Sequence, residues 1–365
     1  MLATMTPVVD ADAHCNENPW AWDDLNARYP GWLQFAESGG KQVALIDGKH
    51  YPRQEGRGRG VPIDSAILPA ALRGAFDVQI RLKDMDTDGI DVQVMYGGLT
   101  IGLTGYSDAG FAADVAIAYN DWLLDDVCAA DPGRLKAVAT VPLQDTDRAI
   151  AELERTSGRA VAVTIPPVVG ERNLDDPTLL PFFEAAADRG IALGIHSAPG
   201  MNLPLPAGDR FDNYLQVHLL SFPVDQMVAF TALAFGGVLD RFPALRIAHL
   251  EAGVGWVPYF VDRAHEHRVK RRDLVPDMQS DPEEFIARGQ CYFSFECEDP
   301  FLEFYAERFG VDSVVFASDY PHWDADFPGT VEEARENAAP LGDAAVARLL
   351  GGNAQRLYGF DAEVA

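Results

Sequence analysis

The chain has 365 residues, 48% of them hydrophobic, and a formal net charge of −27. That length and apolar content suffice for a large core, either as one barrel with long loops or as two domains. The acidic balance argues against a nucleic-acid partner, since phosphate binding needs clustered Lys and Arg; an acidic surface serves solubility instead.

The opening stretch MLATMTPVVDADAH has neither the basic n-region nor the apolar h-region of a signal peptide. No apolar run approaches the length of a membrane span. Cys15, Cys128, Cys291 and Cys297 are scattered without a C-x-x-C, so no disulfide framework is expected in a chain this long. The expected class is a soluble, cytoplasmic globular protein with no membrane partner.

Eight apolar runs follow one another, each ending in polar or turn residues before a helix-like stretch: 8–14, 91–97, 135–142, 160–167, 191–198, 245–253, 291–298 and 313–322. They are Val-, Ala- and Ile-rich and nearly continuous in hydrophobicity, the pattern of parallel strands buried on both faces. After the first run comes a long segment, roughly 15–78. Within it KQVALIDGKHYPR predicts a hairpin turning at Asp47-Gly48, and EGRGRGVP a loop. This segment is expected to cover the mouth of the fold. Helical spacing then runs to a stop at Gly89, and a long periodic helix closes at Pro132-Gly133. Three further amphipathic helices begin at Asp147, Pro177 and Phe222. A second insert, 199–222, is rich in Pro, Gly and Asn. The expectation is one domain, 1–365: an α/β (β/α)8 barrel, distorted, with long inserts after strands 1 and 5.

In such a barrel the C-terminal ends of the strands meet on one face. Asp12 and His14 stand at i and i+2, so their side chains point the same way. They are metal ligands or a hydrogen-bonded pair, and Asp10 is structural or an outer partner of the site. His196 ends the fifth strand as a ligand or a satisfied core histidine. His249 and Glu251 share parity on the sixth; His249 is a ligand or a general acid/base, because its unperturbed pKa lies near neutrality. Glu296 and Glu298 on the seventh supply another ligand or salt bridges to Arg. Asp319 on the eighth is a carboxylate ligand and base, or an N-cap. His322 would hold Asp319 or a substrate carboxylate. His218 is a substrate contact or a core residue. His50, His265 and His267 are expected on the surface.

Taken together, D-A-D-A-H (10–14), G-I-H-S (194–197), R-F-P-x-L-R-I-A-H-L-E-A-G (241–253), A-S-D-Y-P-H (317–322) and G-G-N-A-Q-R-L-Y-G-F (351–360) resemble the amidohydrolase superfamily. The resemblance is specifically to its amidohydrolase 2 family, which includes aminocarboxymuconate semialdehyde and γ-resorcylate decarboxylases. It implies a divalent metal at the C-terminal mouth, held by Asp12, His14, His196 and Asp319, with His249 catalytic. It also implies a homodimer. Two positions depart from the pattern: Asp12 stands where His or Glu is usual, and Glu251 where small residues are more common. The fourth strand, VAVTIPP, has no Lys for a carbamate bridge.

The leading expectation is a metal-dependent lyase (decarboxylase) or hydrolase acting on a small carboxylated or cyclic organic molecule. Asp319 and His249 would be catalytic, and Zn or Mn suits the mixed donors. The alternative is a dinuclear non-haem iron or manganese oxygenase, with His249, Glu251 and Glu296 completing a second site. The motive is that seven candidate ligands outnumber what one ion requires.

Overall fold

The computed structural model describes residues 6–17, 22–38, 41–62 and 73–362. The opening residues 1–5, the final three, and parts of the first insert (18–21, 39–40 and 63–72) lie outside the described residues.

The eight apolar runs form one sheet of eight strands in chain order: β1 (Val9–Cys15), β2 (Val92–Gly97), β3 (Leu135–Thr140), β4 (Ala162–Ile165), β5 (Ala192–Ile195), β6 (Ile247–His249), β7 (Cys291–Phe295) and β8 (Val314–Phe316). Each neighbouring pair is parallel. The ring closes just past the last strand, where His14 N–H donates to Tyr320 O at 2.7 Å and Asp319 N–H to Asp12 O at 3.1 Å. Closure is therefore made by the residues that carry the candidate ligands.

The barrel interior is a packed core rather than a pore. Val9, Val92, Val94, Val138, Ala192 and Val315 pack there around Tyr96, Tyr292 and Tyr358. Small residues make room for the rings: a Cβ at Gly194 would fall 2.2 Å from the Tyr96 hydroxyl. The Tyr358 hydroxyl donates to Ala11 O at 2.7 Å, tying the C-terminal helix to β1.

Helices cover the outside. α1 (Val78–Asp88) starts where the Asp77 side chain accepts from two backbone N–H groups, and stops at left-handed Gly89, as its sequence predicts. α2 (Ala109–Trp122), α3 (Thr146–Thr156) and α4 (Leu180–Arg189) follow β2, β3 and β4. α5 (Tyr214–Phe235) then joins β5 to β6, and α6 (Trp256–Lys270) follows β6.

α5 corrects two expectations. It begins at Tyr214, so the irregular chain after β5 ends sooner than residue 222, and Pro223 lies inside the helix. At 22 residues it is also long and apolar enough to cross a membrane by length and composition. Here it is a crossover helix, apolar because one side packs on the sheet; Asp225 and Gln226 on that side are fully buried.

Between β1 and β2 the hairpin forms as read, in a three-stranded antiparallel sheet (33–38, 41–46, 49–51). Asp47 and Gly48 both have positive φ, 52° and 72°, the geometry that favours Asp-Gly in a two-residue turn. The chain after it bonds to the segment after β5: Arg53 N–H donates to Gly200 O at 2.7 Å and Gly58 N–H to Phe211 O at 2.9 Å.

Candidate metal centre

The centre begins on β1, whose register against β2 slips between Asp10 and Ala13. Asp10 is directed away from the ligands. Its carboxylate accepts from Ser318 N–H at 2.9 Å, Ser318 Oγ at 2.5 Å and Gln93 Nε2 at 3.0 Å, which staples β1 to the chain after β8. Burial pushes its carboxyl up to about 7. Beside it the buried Arg81 donates to the carbonyls of Gly74 and His14 and to Gln93 Oε1. The backbone that presents His14 is thus held from two sides.

His14 Nδ1 lies 3.0 Å from Gly97 O, and His196 Nδ1 lies 2.7 Å from Ser197 O. A carbonyl only accepts, so each Nδ1 carries the proton and each Nε2 presents a lone pair. Asp12 sits between them, with Oδ1 3.6 Å from His14 Nε2 and Oδ2 3.6 Å from His196 Nε2. Asp319 Oδ1 is 3.3 Å from His14 Nε2, and Glu251 Oε2 is 3.1 Å from His196 Nε2. Asp319 and Glu251 both have φ of 54°, a left-handed conformation that costs a non-glycine residue about 1–3 kcal/mol. That cost falls on the two loops that turn a carboxylate back over the barrel mouth.

Two groups of donor atoms lie within 4.8 Å of one another around this point: Asp12, His14 and His196; and His14, Glu251, Asp319 and His322. Asp12 Oδ1, His14 Nε2, His196 Nε2, Glu251 Oε2 and Asp319 Oδ1 are all buried without a hydrogen-bond partner. Leaving one buried polar atom unsatisfied costs about 1–3 kcal/mol, and more if charged. The two groups share His14, and their unpartnered imidazole nitrogens and carboxylate oxygens are the donors that suit a first-row divalent metal.

The electrostatics follow the geometry. Burial would raise the Asp319 carboxyl, but the positive charge of His322 outweighs it and holds Asp319 below the usual carboxylate range. His322 Nδ1 donates to Asp319 Oδ2 at 2.9 Å. Burial disfavours its charge, yet Asp319 pushes it up to about 9. Glu251 goes the other way, raised by burial and then by Asp319 and Asp12.

His249 stands elsewhere. β6 ends at His249, so the shared strand parity expected of His249 and Glu251 does not hold. Ala248 and Leu250 face the barrel interior, while the His249 ring stacks on Phe293 with centroids 5.3 Å apart, near Phe230 and Trp256 of the helical layer. Its Nδ1 is 2.8 Å from Gln226 Oε1, and Gln226 Nε2 donates to Ile195 O and Leu250 O at 2.9 and 3.1 Å. These are the carbonyls just before His196 and Glu251. Burial alone pushes His249 down to about 3. Neither donor group includes His249 or Glu296.

Glu296, the residue after β7, lines a cavity of about 470 Å³ that opens beside the cluster. Burial, then the negative charge of Asp319, pushes its carboxyl up to about 8. His218 lines the same cavity, on α5 rather than a loop. Its ring lies 4.9 Å from Phe222, 5.3 Å from Tyr214 and 5.6 Å from Trp323. Burial pushes it down to about 4. The sequence reading missed Gln226, Trp256, Trp323 and Asp324. Asp324 has burial and Asp319 raising it to about 6, and lies 3.6 Å from His218 Nε2. Gln226 comes in on the crossover helix α5, Trp256 at the start of α6, and Trp323 and Asp324 in the loop after β8. His50 and His267 are exposed, and His265 meets Asp281 on the surface at 2.5 Å.

Comparison with known proteins shows the family. The chain is 26% identical over 360 residues to 2-amino-3-carboxymuconate-6-semialdehyde decarboxylase of Dictyostelium discoideum, covering 96% of this chain and 91% of that one. It is 27% identical over 302 residues to γ-resorcylate decarboxylase of Rhizobium sp. (strain MTP-10005), covering 78% and 88%. Among solved structures it is similar to a dihydroxybenzoic acid decarboxylase from Polaromonas sp. JS666 with bound manganese and the inhibitor 2-nitroresorcinol, with a TM-score of 0.70, 21% identity and 97% of each chain covered. The amidohydrolase family model matches residues 9–360, and the chain is an enzyme belonging to that family.

Proposed function

We propose that this enzyme is a metal-dependent decarboxylase of a small, cyclic or unsaturated carboxylic acid. The observation that carries the reading is the convergence of Asp12, His14, His196 and Asp319, each with an unsatisfied buried donor atom, beside a cavity walled by Trp256 and Phe222. The relatives' decarboxylase activities favour a lyase over a hydrolase, and none of them is an oxygenase. When bound, a divalent ion such as manganese supplies Lewis-acid polarisation of a substrate carboxylate. The described lining of the cavity has no Lys or Arg to meet an anion.

The chain's residues divide the remaining work. His322 keeps Asp319 ionised, so Asp319 serves as a ligand. When the bond to carbon dioxide breaks, its electron pair stays on the substrate carbon, which must take up a proton. Glu296, facing the cavity with a carboxyl raised to about 8, is protonated at neutral pH and is our choice of donor. Gln226 and His249 position the loops bearing His196 and Glu251.

The test is carbon dioxide release from a panel of aromatic and unsaturated carboxylic acids by manganese-loaded and chelator-stripped protein. Release that needs metal supports the reading. Hydrolysis of esters or amides with no carbon dioxide from any acid would overturn it.

A further inference from the structure

We propose that Glu251 is a fifth donor of the metal centre and biases it toward a hard ion such as Mn(II) over Zn(II). This rests on the metal reading of the mouth above. Glu251 Oε2 is buried, lies 3.1 Å from His196 Nε2, and has no hydrogen-bond partner. The backbone is fixed in place: Glu251 N–H donates to Ser294 Oγ at 2.9 Å, and φ is 54°. Among the described residues no Lys or Arg forms an ion pair with it.

A buried carboxylate in that position needs a proton or a cation. A proton on Oε2 would be donated to His196 Nε2. That nitrogen holds the ring's one free lone pair, because Nδ1 is committed to Ser197 O. A metal on His196 Nε2 removes that hydrogen bond and leaves Glu251 Oε2 facing the ion. A cation between them satisfies both atoms, and the shared His14 joins the group of Asp12 and His196 to that of Glu251 and Asp319. The resulting set is three carboxylates and two imidazoles. Oxygen-rich donors suit manganese, whereas zinc is satisfied by four ligands, so losing one carboxylate should harm Mn(II) more.

The experiment uses the full-length protein stripped with chelator and titrated separately with manganese and zinc chloride. Bound metal per chain and Kd are measured for wild type, Glu251→Gln and Glu251→Ala. Melting of the metal-free forms shows that each variant is folded; the isosteric Gln variant carries the test if the Ala variant is not. Mn(II) affinity is expected to fall at least about tenfold, and the Zn(II) to Mn(II) preference to rise. Mn(II) binding within about twofold of wild type in a folded variant, or an equal loss for both ions, would overturn the proposal. If wild type binds neither ion, the metal reading itself fails.

Discussion

The two sides of the barrel mouth are built differently. On the β1, β5 and β8 side, every candidate ligand is held by hydrogen bonds to backbone: His14 to Gly97 O, His196 to Ser197 O, and Asp319 through the closing seam to Asp12 O. Ionisation there is pinned as well, with Asp319 kept charged by His322. On the β6 and β7 side, Glu296 and Asp324 line a cavity and have carboxyls raised by burial. In the function proposed above, the first side holds the cation and the second is completed by the substrate, which is where a proton donor and selectivity belong.

The largest expected effect comes from the rigid side. His14→Ala or His196→Ala should release the metal and abolish turnover, exceeding the roughly 10–100-fold that outer partners of a metal site contribute. Full metal content in both variants would erase the contrast between the two sides.

Gln226→Leu removes the bonds to His249, Ile195 O and Leu250 O together. Turnover should fall about 10–100-fold with metal weakened rather than lost. His249→Asn separates positioning from chemistry. Asn can still donate to Gln226, so the expected loss is under about tenfold; a loss of about 10²–10⁴-fold with metal retained would restore His249 as the acid or base.

The smallest effect is on stability. Glu296 has a folded pKa of about 8 against an ordinary 4.5. Between those values the unfolded chain gives up its proton while the folded chain keeps it, so stability falls as pH rises across that window. Glu296→Gln should flatten the decline in metal-free protein and be the more stable by on the order of 1 kcal/mol or more near pH 8. Chemical denaturation at pH 5 and pH 8 measures it; parallel declines in both proteins would place Glu296 in contact with water.

Sequence alone determined the eight strands, the stop at Gly89, the Asp47-Gly48 turn and the family. These rest on local periodicity, turn chemistry and ordered motifs, which a chain carries wherever it folds. It also named Asp12, His14, His196, Glu251 and Asp319, because a buried strand end that bears a polar residue needs a partner for it. Only the tertiary structure decided what those residues meet. The slip in β1 separates Asp10 from Asp12, and the early end of β6 sends His249 outward and leaves Glu251 at the mouth. Alternation holds only while a strand continues, so parity could not predict either outcome. Gln226 reaches His249 and the carbonyls before His196 and Glu251 from a crossover helix, and Trp323 packs on His218 from a loop, contacts that no spacing in the sequence records.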